Sequence, residues 1–381
     1  MGDIYVPYFD FRKNILEQQL KYIGLNIFDP EFKFNLLTAF YWLDISIFTI
    51  ISIIDLHFFF GQLKEFVFCI VTLPYVVFFV PRFYNLQFKR KLIKDLFDVV
   101  HKNCIDFHAD EWKEKQLFGK YVVWIKKIAV LTNIMVGNVG ITCFFLPVFI
   151  YYLSGEKTLP FGFILPGIDY QSGAGYFINY AYHALQIVMV STAYLPMFHL
   201  LTFYVCMACF QIDSLVIKLQ KFNSKLKSIK DTCLPELESL VKSHQSFKLF
   251  LKNVDAVFAT QNLLDLTCIG FQCVIILFYC TTEFWATGYA LVMQAVTPLF
   301  IQCLYGVVIQ LKGERLAQEI YELNWYSMNV PERKVLLVYL MGAQNIQMLT
   351  FAKYLPVNLE TFAQATKGCY SVLMFLVNRQ T

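Results

Sequence analysis

Charge is what this sequence has least of. Asp, Glu, Lys and Arg make up 16% of the chain, against 57% apolar residues, 39 Phe and a mean hydropathy of +0.51. A soluble multi-helix core alternates apolar and charged faces, so this scarcity excludes a soluble fold. Gly-rich phosphate loops and nucleotide signatures are missing, as is any Asn-x-Ser/Thr sequon, so N-glycosylation is not expected. Residues 1–33 scatter five acids among four bases with no continuous apolar core, which argues against a signal peptide and for a cytosolic lead-in. The eleven cysteines are an odd number and lie mostly inside apolar runs (Cys143, Cys206, Cys209, Cys268, Cys273, Cys303), as small buried hydrophobes do. Cys206 and Cys209 have CxxC spacing but no second pair, so no metal site is expected. Catalytic constellations are equally scarce. Asp44, His183, His199, Asp265 and Glu283 fall on different helices or near helix ends, without a GxGD or HxxxxD pattern. Neither an enzyme nor a cofactor is expected.

What the chain has instead is long runs free of formal charge: 34–54 (broken only by Asp44), 66–81, 128–155, 170–212, 266–282 and 284–311. About 20 apolar residues cross about 30 Å of hydrocarbon. Six spans follow, at 36–54, 66–84, 128–151, 179–211, 256–281 and 285–311, with Arg82 snorkelling from the end of the second. Two further segments, 335–352 and 358–378, are separated by Lys353 and Pro356. They read as a helix rising from the cytoplasm and a last crossing that finishes it.

Lys and Arg set the orientation. Residues 1–33, 82–127, 213–254 and 312–334 carry 27 of them, whereas the alternate connections 55–65, 155–178 and 282–288 carry 2. Basic connections stay cytoplasmic, which also accounts for them without nucleic acid. The expectation is an all-α integral membrane protein with seven transmembrane helices, N-terminus cytoplasmic and C-terminus extracellular, the reverse of a G-protein-coupled receptor. Within the basic connections Leu92, Leu96, Val99 and Val100, then Leu117, Tyr121 and Trp124, recur at helical spacing. These are amphipathic extensions of the spans, packed on each other or lying on anionic lipid.

The last segment is unusual. Glu360, Gln364, Lys367, Ser371 and Asn378 interrupt it at helical steps and form one polar stripe.

The C-terminal seventy residues carry a resemblance. Cys303 with Gly306, the Leu316…Tyr321…Trp325 run, Ala343-Gln344, Leu359 with Phe362, and Lys367 followed by Tyr370-Ser371 resemble the insect odorant receptor family. Gustatory receptors share the architecture but carry a Thr-Tyr pair where Tyr370-Ser371 stands, and the chain lacks the long second cytosolic insertion of the shared co-receptor. The resemblance therefore implies a ligand-tuning subunit that joins the co-receptor in a heterotetramer. Such a channel binds a small volatile and passes cations across the plasma membrane of olfactory sensory neurons. It also implies two regions: 1–311 with six spans and the odorant pocket, and 312–381 with a cytosolic anchor helix and the pore-lining last helix.

On that helix a pore face of Gln364, Lys367, Ser371 and Asn378 is expected, with Phe375 as the apolar gate. Trp325 and Leu336 are the expected subunit contacts. For the pocket, residues at spacings of three, four and seven in the outer halves of the spans are candidates: Tyr75, Phe78 and Phe79; Gly137, Gly140 and Phe144; His183 and Ile187; Trp285 and Tyr289. The aromatics suit a flat aromatic or heteroaromatic volatile. Two other readings stay open, a gustatory-type channel and a transporter or orphan receptor without its own pore. A transporter is disfavoured because the break near Pro356 has no counterpart in the first half.

Overall fold

A computed structural model of the chain describes residues 15–29, 34–106, 112–226, 232–283 and 285–379. The remainder, including both termini, lies outside the described residues. After a short helix α1 over residues 15–22 come α2 (Leu36–Phe58), α3 (Leu63–Ile70), α4 (Pro74–Phe88) and α5 (Arg90–Asp106). Then follow α6 (Trp112–Ser154), α7 (Gly173–Leu226), α8 (Leu234–Thr282) and α9 (Ala286–Tyr321). The chain ends with α10 (Val330–Gln344), a two-residue hairpin β1 (Thr350–Phe351) and β2 (Leu355–Pro356), and α11 (Leu359–Asn378).

Among the described residues six helices are long and apolar enough to span a bilayer. At 20 residues α11 is also long enough, rising about 30 Å, but its polar stripe dilutes its hydropathy. The fold is a seven-span helical bundle. Four of its helices outrun the membrane: α6 and α7 run for 43 and 54 residues, α8 and α9 for 49 and 36. The amphipathic stretches seen in the sequence continue the spans and pack into a helical base at the basic end. α9 passes unbroken through position 312, where the sequence suggests a boundary.

Helix α7 is the axis of the bundle. Residues 196–210 are buried without interruption, with α4, α6, α8 and α9 around them. Helices in lipid gain little from apolar burial alone, so close packing and polar pairs hold such an axis. Beside it, Arg82 of α4 donates to both carboxylate oxygens of Asp265 in α8 (3.0 and 2.8 Å) and to the Phe78 carbonyl (2.6 Å). Its guanidinium stacks 4.5 Å from the ring centre of Tyr194 in α7. Arg82 is fully buried, so it does not snorkel as the sequence suggested. Two charges at that depth are tolerated because each satisfies the other.

The second span departs from expectation as well. It breaks at 71–73, because Pro74 has no N–H and cannot continue α3. Gln272 of α8 donates to the Val71 carbonyl freed by the break (3.2 Å), and Thr72 Oγ1 donates to the Cys69 carbonyl (2.7 Å).

The segment 335–352 is not one helix. α10 stops at Gln344, where the Lys248 ammonium donates to the carbonyls of Gly342 and Asn345 (3.0 and 2.9 Å). The hairpin then turns at Ala352 and Lys353, both with positive φ (49° and 65°). Asp255 of α8 accepts from the backbone N–H (2.6 Å) and hydroxyl of Thr350, and the Ala352 N–H donates to the Ala259 carbonyl (2.8 Å). A Cβ on Gly306 would stand 1.5 Å from the Val357 carbonyl oxygen, so only glycine lets α9 seat the hairpin's exit strand. Asn358 then caps α11 by accepting from the Thr361 N–H (2.8 Å).

The base carries its own polar chemistry. Asn329 and Glu332 form a reciprocal capping box at the start of α10. Burial alone would raise the Glu332 carboxyl, but hydrogen bonds from the Asn329 N–H, Thr232 and the Cys233 N–H hold it below the ordinary carboxylate range. His244 of α8 lies between Phe247 and Tyr339, and burial, with Lys248 nearby, pushes its pKa down to about 4.

Candidate functional site: a cavity and an exposed helix face

The break between α3 and α4 opens one wall of a cavity at the end of the bundle opposite the base. The cavity has two adjoining lobes, sharing Tyr75, Val136, Val190, Leu291 and Gln294. Its mostly apolar walls with a few polar groups suit a small, mostly apolar molecule. Of the expected residues, the structure brings Tyr75, Phe78, Gly140 and Ile187 to its walls. Gly140 earns its place by close approach, since a Cβ there would sit 3.4 Å from the Ile187 side chain.

Five expected residues point elsewhere. Phe79 is stacked between Tyr41 and Phe83, and Gly137 faces open space outside the bundle. Phe144 packs edge-on to Tyr180, and Trp285 packs against Phe68 and Tyr279. Tyr289 is exposed. His183 stands one layer back: its ring accepts from the Phe161 N–H (3.2 Å), meets the Phe163 carbonyl (2.9 Å) and stacks under both rings. It pins the loop 155–172, whose Phe161 and Phe163 roof the lobe that Gly140 and Ile187 wall. Asp55 and Asn179 hold the same loop by accepting from the Ile164 and Leu165 N–H groups, each at 2.7 Å.

The cavity's polar lining escaped the spacing argument. Gln186, Ser191, Thr72, Gln272 and Gln294 face it. A polar side chain inside an apolar span is costly, and that cost was the available signal. Most are already engaged: Gln186 donates to both oxygens of Asp44 (2.9 Å), and Ser191 donates to the Ile187 carbonyl (2.7 Å). Gln272 is engaged through its Nε2 alone, which donates to the Val71 carbonyl. It is 2% exposed and its Oε1 has no hydrogen-bond partner among the described residues. An unmatched buried acceptor at the wall calls for a donor from whatever fills the space.

The second feature is α11. Of its 20 residues only Thr361 is buried. Ala365, Cys369 and Leu373 turn toward α8 and α9. Gln364, Lys367, Ser371, Phe375 and Asn378 are exposed together on the other side. Polar groups at bilayer depth must face water or protein, so this face is unfinished in a single chain.

The base also exposes an apolar patch. Trp325 (49% exposed) lies beside Tyr321 and Tyr326, and α10 shows Leu337, Val338 and Met341. Leu336, by contrast, is 7% exposed and packs inward.

Comparison with known proteins adds an independent line. A family model described as 7tm Odorant receptor matches residues 62–370. Odorant receptor 10 of Aedes albopictus is 20% identical over 75% of this chain and 77% of its own. Odorant receptor 94a of Drosophila melanogaster is 20% identical over 74% and 73%. The insect olfactory receptor OR5 from Machilis hrabei, solved in complex with eugenol, superposes with a TM-score of 0.82 at 13% identity, covering 99% of this chain and 100% of that one. Its structure solved without that ligand gives 0.77 at 14% identity.

Proposed function

The chain belongs to the insect odorant receptor family, and from that premise we propose that it is a ligand-tuning subunit of a heteromeric, odorant-gated cation channel. The observation that carries the reading is the exposed face of α11, where a polar stripe at membrane depth surrounds one apolar ring, Phe375. A helix that lines water needs such a face, and an apolar constriction in it gates by dewetting. Gln364, Lys367, Ser371 and Asn378 line the pore, with Lys367 wide of the axis in an inner vestibule. The basic base faces the cytoplasm and the cavity end faces outward, because 27 Lys and Arg lie in the basic connections and 2 in the others. The N-terminus is then inside and the C-terminus outside.

The odorant occupies the two-lobed cavity. Tyr75, Phe78, Phe161 and Phe163 favour a flat ring, and the unmatched Oε1 of Gln272 favours a hydroxyl on it. The eugenol bound by the Machilis hrabei receptor, an aromatic alcohol, is of that kind. The apolar patch of Trp325, Leu337, Val338 and Met341 on the base supports assembly with the co-receptor, because large apolar side chains outside the membrane seek a partner. The site of action is the plasma membrane of olfactory sensory neurons.

The test is expression with and without the co-receptor under a panel of aromatic alcohols and their hydrocarbon analogues. Odour-evoked cation current that requires this chain is expected. Its absence across a panel of surface-expressed complexes would favour a receptor without a pore of its own.

A further inference from the structure

A second cavity lies behind α11. It holds about 260 Å³, walled by Gly270 and Cys273 of α8, Val296 of α9, and Ala365, Cys369 and Leu373 of α11. Protein interiors are close-packed, so a gap of this size against the middle of a helix is an anomaly to be explained. Its chemistry is one-sided. The Thr366 hydroxyl at its wall is already spent on the Phe362 carbonyl (2.8 Å), and none of the buried polar atoms lacking a partner among the described residues lies on it. Water needs two to four polar partners, and beyond the weak thiols of Cys273 and Cys369 and the Tyr370 side chain at the wall the lining is hydrocarbon. Its α8 and α9 walls lie in the charge-free runs 266–282 and 284–311, at the depth where the surroundings are acyl chains.

We propose that this cavity is a second ligand site that takes hydrocarbon, either the acyl chain of a membrane lipid or a small apolar volatile, and that its occupant opposes opening. The cavity is the space into which the middle of α11 retreats when the pore widens, because the middle of α11 turns this face toward α8 and α9. Ile269 lines both this cavity and the odorant cavity, so ligand pressing on one side of the wall meets the occupant on the other. The effect on current rests on the reading of α11 as the pore helix; the binding does not.

Two measurements test it. The assembled channel is imaged by cryo-electron microscopy in nanodiscs of dibrominated phosphatidylcholine, and separately with 1-iodohexane. Halogen density is expected in the space bounded by Cys273, Val296 and Leu373. Bromine there identifies a lipid chain as the occupant, and iodine alone identifies a small apolar molecule. Density in neither, or a side chain of a neighbouring subunit filling the space, overturns the site. The second measurement fills the cavity from within. Cys369→Phe and Ala365→Leu should each cut maximal odour-evoked current at least about fivefold at equal surface level. Undiminished current in both overturns the opposition to opening. A wild-type complex that gives no current at all would count against the channel reading and leave the halogen result standing.

Discussion

Helices α7 and α11 both lie in the apolar layer, yet the middle of one is buried on every side and the other is buried on barely one. Residues 196–210 of α7 are covered without interruption, while α11 buries only Thr361 of its 20 residues. In water the exposed helix would be the ordinary one. In a membrane an apolar exterior is ordinary, and the anomaly is an exposed face bearing Gln364, Lys367, Ser371 and Asn378. The comparison separates two kinds of sequence constraint. α7 answers to packing within one chain, whereas α11 answers to something the single chain lacks, and the same is true of the apolar patch around Trp325 on the base.

The comparison breaks most completely where α11 is hitched to the bundle. Gly306→Val puts carbon onto the Val357 carbonyl and should abolish assembled, surface-exposed protein in a biotinylation assay. Gly368→Val, on the open side of α11 with nothing within 4 Å, should leave surface level near that of the wild type. Equal surface levels for both variants would contradict the account of that junction.

Next in size is the buried pair beside α7. Arg82→Ala strands the Asp265 carboxylate and should cost about 3–5 kcal/mol, seen as a large drop in melting temperature in detergent. The double variant Arg82→Met with Asp265→Leu should recover most of it. If the double variant melts as low as the single one, the pair is not what holds α4 on α8.

These two features also mark where sequence reading stops. The spans, the basic end and the polar stripe were legible because hydropathy and charge are properties of a segment alone. Arg82 read as a snorkelling residue because its partner stands 183 positions away. The break at Pro74 was written in the sequence, but the 66–84 hydropathy hid it. For the cavity, helical spacing picks a face without saying how the helix is turned. Phe78 therefore lines it and Phe79 does not, and Gly140 lines it while Gly137 looks outward. The loop 155–172 carries Phe161 and Phe163 to the roof through His183, a contact that no periodicity announces.

A smaller effect should sharpen the ligand side. Gln272→Leu removes the unmatched acceptor and should lower sensitivity to an aromatic alcohol about tenfold relative to its methyl ether. The ratio is the readout, because the same change frees the Val71 carbonyl for every ligand. An unchanged ratio would mean that the ligand does not donate to Gln272.

The smallest effect concerns the base. His244 has a folded pKa of about 4, below its ordinary value near 6.5, and Glu332 is also held low. Both bind fewer protons folded than unfolded, so their contribution is complete above about pH 6.5 and falls away in acid, first for His244 and then for Glu332. Melting temperature in detergent should decline from pH 6.5 to 4, and less steeply in His244→Phe. Parallel declines in wild type and variant would remove His244 from the account.

The central claim is that the exposed face of α11 lines water. Single cysteines at Lys367, Ser371 and Asn378, and at Thr366, Leu373 and Val377 on the other face, can be treated with a water-soluble methanethiosulfonate in the assembled channel. Modification of the first set, faster with odorant present, is predicted, with Phe375→Ser raising resting current through the same pore. Modification that instead follows Thr366, Leu373 and Val377 would contradict the account and move the pore to another helix.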